Sequence, residues 1–218
     1  MLNLIIVVLF LFTSISVSAN SSYSFLSGGY QLTSVAKDGM GQHFDNKYHY
    51  NAYKKLHGVY FRGSWNFVNN FFAEYRTGST IRSSSKLVQD YFSMGYYIPL
   101  STQTNYYTSV GYASYDTDRE INIDSGNVEN KKTCKNRKFK EDKIGLSAEI
   151  GLRFNAINGL QIEPSYRYTD FSKKGQHELR LTNLIELSQN SDLELNAEYR
   201  HWKELDESNY QMGYRYSF

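Results

Sequence analysis

The sequence predicts an all-β fold: a closed antiparallel transmembrane β-barrel of about ten strands, with eight or twelve as the neighbouring solutions. Three observations predict it. Apolar and polar residues alternate with period two in about ten separate segments. The links between those segments alternate between short and long. The composition, 20 Tyr, 13 Phe and 15 Gly with only 2 Pro in 218 residues, suits strands with aromatic ends.

The alternation is cleanest over 143–154. Ile144, Leu146, Ala148, Ile150, Leu152 and Phe154 fall on one face, and Lys143, Gly145, Ser147, Glu149, Gly151 and Arg153 on the other. A helix would scatter both sets around its circumference, whereas a strand separates them. The same pattern recurs over 58–67, 71–77, 160–169, 178–187, 193–202 and 210–218, and more weakly over 23–33, 88–98 and 106–115. The last strand then pairs with the first to close the sheet.

Short links at 67–70, 99–104, 155–159 and 188–192 carry the Asn, Gly, Pro and Ser of tight turns. Longer links at 35–53, 79–86, 116–142, 172–176 and 203–208 fall between them. The largest loops are expected near 35–53 and 116–142. A hairpin hidden in 116–142 would raise the strand count to twelve. Short turns inside and long loops outside are the habit of membrane barrels, and an even strand number returns the C-terminus to the inner side.

Residues 1–19 read as a cleaved signal peptide, leaving 20–218 as the barrel domain. The run 4–12 is apolar throughout, and Val17-Ser18-Ala19 fits cleavage before Asn20. No later stretch is long enough for a membrane helix. Mean hydropathy is −0.57, but alternation hides a barrel's apolar surface in such an average. The net charge of +2 gives no argument for nucleic acid, and the single cysteine, Cys134, cannot form an internal disulfide.

The polar face is expected to point inward. It carries Arg62, Arg76, Arg153, Arg167, Arg180, Arg200 and Arg215 against Glu74, Glu149, Glu163, Glu178, Glu186, Glu194 and Glu198. Seven of each sign cancel. Buried charges need partners, so the balance predicts a lumen filled by ion pairs, whereas an anion channel would carry an excess of Arg or Lys. A soluble lipocalin-like barrel would instead have to hold Trp65 and many Tyr and Leu around a ligand cavity.

The chain ends in Tyr214-Arg215-Tyr216-Ser217-Phe218, and Tyr214, Tyr216 and Phe218 resemble the terminal signal read by the outer-membrane assembly machinery. With the N-terminal signal and strands such as Ile162-Glu163-Pro164-Ser165-Tyr166-Arg167-Tyr168, the chain resembles the small outer-membrane β-barrels of Gram-negative bacteria, the OmpA/OmpX type. The resemblance implies the cell outer membrane as location. It implies lipid, lipopolysaccharide and the assembly machinery as partners, with a host or surface ligand for the loops. It is weak on function: structural barrels, adhesins, narrow channels and a few enzymes share it.

Candidate chemistry is sparse, and no enzyme activity, cofactor or metal is expected. The five histidines are His43, His49, His57, His177 and His201. His201, with Ser208 nearby, reads as a rim histidine at headgroup level, because the His-x-Ser spacing of a lipid-A deacylase is absent. His43, Asp45 and His49 match no metal-ligand spacing. In 116–142, Asp116, Asp118, Glu120, Asp124 and Glu129 precede a basic run of Lys131, Lys132, Lys135, Arg137, Lys138 and Lys140. That run is the candidate binder of lipopolysaccharide phosphates or acidic glycans, weighed against pairing with its own acidic half. The expected function is a structural or surface-interaction protein acting through its outer loops. The alternative is a narrow porin-like channel for small solutes or oligosaccharides, and a lipid-A-modifying enzyme ranks last.

Overall fold

A computed structural model describes residues 23–36, 55–82, 85–128, 131–171, 175–202 and 205–218, and the side chains of these apart from 119–139. The signal segment 1–19 and most of the first loop therefore lie outside the described residues. Ten strands follow in order: β1 (Phe25–Val35), β2 (Lys55–Val68), β3 (Phe71–Arg82), β4 (Ser85–Pro99), β5 (Thr104–Val128), β6 (Lys131–Ile157), β7 (Leu160–Asp170), β8 (Gly175–Ser188), β9 (Ser191–Trp202) and β10 (Leu205–Ser217). Each pairs antiparallel with its chain neighbour, and β1 pairs with both β2 and β10, closing the barrel. Closure leaves no sheet edge around the wall, as a strand structure in lipid must.

The links β2–β3, β4–β5, β6–β7 and β8–β9 gather at one end, the turn end; the others lie at the opposite, loop end. Three turn-end links are two residues long, and two of them use a left-handed backbone. Asn69 sits at φ 47° and Gly159 at φ 80°, positions that Asn and Gly tolerate at least cost.

The loop end differs from the sequence expectation. Segment 116–142 is not an irregular loop. Strands β5 and β6 stay paired through it up to Val128 opposite Lys131. The pairing of β4 with β5 stops at Ser85 opposite Arg119, and that of β6 with β7 at Leu146 opposite Asp170. The hairpin thus projects past its neighbours and adds no strand to the wall. Likewise β3 and β4 run on to Arg82 and from Ser85 through the expected link 79–86, β8 begins at Gly175, and β10 at Leu205. The reason is physical: apolar alternation stops where the apolar surroundings stop, whereas strand pairing uses backbone groups that every residue carries and so does not depend on that alternation.

The burial pattern is inverted relative to a soluble protein. Val59, Val110 and Ile144 are 64–69% exposed on the outer wall, while Arg153, Glu163 and Glu194 have no accessible surface. Aromatic rings mark the wall toward the turn end, where Phe71 lies 4.8 Å from Tyr96 and Trp65 6.1 Å from Phe67. Exposed Tyr168 and Tyr199 mark it toward the loop end. This polarity excludes the lipocalin-like arrangement and matches a barrel whose solvent is lipid.

Candidate functional site

The lumen is the most heavily built part of the molecule. Seven arginines (62, 76, 153, 167, 180, 200 and 215) and seven glutamates (74, 149, 163, 178, 194, 198 and 207) are buried in it. Period two places them there: each lies on the strand face opposite the apolar wall residues.

Nearest the turn end, Tyr23, Phe72, Tyr97 and Tyr107 form an aromatic lid. Tyr23 stacks on Tyr97 with centroids 4.0 Å apart, and the Arg153 guanidinium lies 3.8 Å from the Tyr23 ring centre. Phe25 is packed beneath Arg215, 4.0 Å away. Above this lid, Arg62 grips Glu74 in a two-pronged pair at 3.0 Å on each side. Glu163 takes Arg215 at 2.9 Å, Arg62 at 3.4 Å and Arg153 at 3.5 Å. Arg215 also reaches Glu194 at 2.7 Å.

The centre is organised by Glu149. It accepts bonds from Arg76 at 2.9 Å, Arg180 at 3.0 Å, Tyr107 at 2.9 Å and both Nε and Nη2 of Arg167. Arg76 also pairs with Glu74. Toward the loop end, Glu178 accepts from Arg200 at 2.8 Å and Tyr91 at 2.9 Å. Arg200 pairs with Glu198 at 2.7 Å and lies 3.7 Å from Glu207, which accepts the Tyr115 hydroxyl. A second apolar lid, with Leu56, Leu87, Phe171, Trp202 and Leu205 at its heart, closes this end.

A void of about 20 Å³ lies among Tyr60, Arg76, Glu178, Asn196 and Gln211, room for about one water. Each guanidinium is thus locked by carboxylates or rings on other strands, which suits Arg because its planar fork matches carboxylate geometry.

Two sequence assignments change. Glu186, expected inside, is exposed at the turn end beyond the aromatic lid, and Leu184 takes the last inward position of β8 at 3% exposure. Parity alone cannot tell where along a strand the lumen ends. Glu207 replaces it: sequence reading left it in the link 203–208, whereas β10 already begins at Leu205. The seven-to-seven balance is therefore kept with one member exchanged. Sequence reading also missed that Tyr91, Tyr107, Tyr115 and Trp202 point inward, since residue type suggested the lipid wall.

The loop-end candidates are only partly described. Lys140 lies 3.6 Å from Asp116. The side chains of Lys131, Lys132, Lys135, Arg137, Lys138 and Cys134, and all of His43, Asp45 and His49, lie outside the described residues. Tyr214, Tyr216 and Phe218 line the outer wall toward the turn end, each 41–50% exposed.

His57, His177 and His201 all face outward near the loop end. His57 bonds Tyr30, and His177 Nδ1 lies 2.7 Å from the Tyr166 hydroxyl. His201 stands opposite His177 on one side and Asp206 on the other. Its Nδ1 lies 2.6 Å from Asp206, which also accepts from Tyr199 at 3.1 Å. Ser208 sits on the same face, opposite Tyr199.

The sequence matches no family model and no curated protein. Solved structures share the fold. The outer membrane protease OmpT of Escherichia coli superposes with a TM-score of 0.52 at 7% identity, covering 89% of this chain and 94% of the protease. Ail, the attachment invasion locus protein of Yersinia pestis, gives 0.42 at 14% identity over 89% and 97% of the two chains. Neisserial surface protein A gives 0.39 at 12% identity over 89% and 96%. At these identities the likeness concerns the fold alone, which is that of the small outer-membrane β-barrels.

Proposed function

We propose that this protein is an integral outer-membrane barrel with a closed, charge-filled core, acting at the cell surface through its loop end. The observation that carries the reading is the lumen: fourteen buried charges interlocked between two apolar lids. An open path would have to unpair several of these ions, each at a cost of several kcal/mol. A structural or surface-interaction role follows, and the narrow-channel alternative is disfavoured.

In this reading, export uses the segment 1–19. Tyr214, Tyr216 and Phe218 present the terminal aromatic pattern to the assembly machinery. The turn end faces the periplasm and the loop end the exterior. The β5–β6 hairpin is then the most prominent external element, and the basic run ending in Lys140 gives it an affinity for lipopolysaccharide phosphates or acidic surface glycans.

Two measurements test this. Purified protein in planar bilayers is expected to show conductance near zero; stable channels would restore the porin-like reading. Replacing 120–138 by a short turn is expected to leave the barrel folded, because β4 pairs with β5 no further than Ser85 opposite Arg119, and to abolish binding to lipopolysaccharide-coated surfaces. Undiminished binding would refute the hairpin's role.

A further inference from the structure

The outer wall is not uniform. Pro164, Leu181, Ala197 and Tyr210 are cross-strand neighbours on β7, β8, β9 and β10. Pro164 and Ala197 are short, while Tyr166 and Tyr199, two residues further along the same strands, are long. The wall is dented there into a groove of about 640 Å³ that runs obliquely from Tyr106, near the turn end, to Tyr199 and Ser208, near the loop end.

The groove changes character along its length. Its floor is apolar: Ile150, Leu152, Pro164, Leu179, Leu181 and Ala197. Its upper end is polar. Ser208 opens onto it, and the next outward-facing pair along the same two strands is His201 and Asp206, bonded at 2.6 Å. The Asp206 carboxylate accepts, so His201 Nδ1 carries the proton and Nε2 is an acceptor in the neutral ring. No described residue bonds Nε2. Ser208 and His201 are not bonded to each other, so the pair is available to a ligand rather than spent internally.

A second dent, of about 560 Å³, lies around Ala148, Phe92 and Met94. Its rim carries Tyr168 and Asp170, and the histidine opposite Tyr168, His177, is bonded to Tyr166 rather than to a carboxylate. The two dents therefore differ in the polar groups beside their rims while sharing an apolar floor, which makes one the internal control for the other.

We propose that the Pro164–Ala197 groove holds one acyl chain of a glycolipid-like amphiphile. The chain lies along the apolar floor, and the sugar hydroxyls meet Ser208 Oγ and His201 Nε2. The match is directional: an amphiphile in a bilayer carries its apolar chain toward the midplane and its hydroxyls at the interface, the same order as the groove from Tyr106 to Ser208. The proposal rests on the membrane reading but not on the closed lumen. A conducting protein would still carry the groove.

The test is native mass spectrometry of the full chain in tetraethylene glycol monooctyl ether, titrated with dodecyl maltoside as the sugar-headed probe. One maltoside adduct is expected to survive activation that strips the remaining detergent. Ala197→Phe, which fills the groove, is expected to abolish it; Ala148→Phe, which fills the other dent, is expected to leave it. Ser208→Ala and Asp206→Asn, which change little volume, should each weaken retention about fivefold, the worth of one hydrogen bond. The electrophoretic shift between unheated and boiled samples reports that each variant is folded. Equal retention by Ala197→Phe and the parent chain overturns the proposal. So does equal loss in Ala148→Phe, or unchanged retention in both Ser208→Ala and Asp206→Asn.

Discussion

Arg76 reaches across the lumen to Glu149, 73 residues away in the chain, with Nη2 2.9 Å from both carboxylate oxygens. The wall between them is not the shortest chemical route; the interior is. This contact, more than any strand pairing, shows the lumen acting as a core, with charge complementarity replacing the apolar packing that fills a soluble protein.

Glu149 should therefore be the most sensitive lumen carboxylate. Glu149→Ala leaves Arg76, Arg167 and Arg180 short of a shared partner. Removing one member of a buried ion network costs about 3–5 kcal/mol, readable as a lower urea midpoint in vesicles. Glu186→Gln, at the exposed turn end, should change stability by less than about 0.5 kcal/mol. Equal effects from the two would mean that the network does not stabilise the barrel.

Arg153 and Tyr23 offer a separable cation–π contact at 3.8 Å. A double-mutant cycle with Arg153→Met and Tyr23→Leu should give a coupling of about 1–2 kcal/mol, as expected when both groups are desolvated. Simple additivity would show that the ring contributes only area.

The turn-end lid also limits its glycines. A Cβ on Gly95 would fall 2.3 Å from the Phe72 ring. Gly95→Ala should destabilise by about 1–3 kcal/mol through overpacking, and less in a Phe72→Leu background. An undiminished penalty in that background would place the cost in the backbone instead.

At the β2–β3 turn, Asn69 occupies the left-handed region. Asn69→Gly should be nearly neutral and Asn69→Ala cost about 1 kcal/mol or slightly more. Equal stability of the two variants would contradict the turn geometry.

Much of this fold was legible in the residues. From Ile144 to Phe154 the alternation alone assigns every side chain to wall or lumen, because a period of two admits only two faces. The same parity placed Arg62 with Glu74, and Glu163 with Arg215, on the inner side. The wall groove was not legible, because Pro164 and Ala197 stand 33 positions apart in the sequence and become neighbours only through Leu181. Nor was the partner of His201: Asp206 faces it across a hairpin whose register the alternation does not fix.

The sequence by itself brought the strand count to about ten and determined the inversion of polarity and the charge balance, since each follows from local period and composition. Tertiary structure decided which charges meet, where the lumen ends and what closes it. Glu186 and Glu207 make the difference plain. Both have inward parity, but only the stagger of closed strands places one beyond the aromatic lid and the other beside Arg200 and Tyr115. Parity is a property of a strand; depth is a property of the barrel.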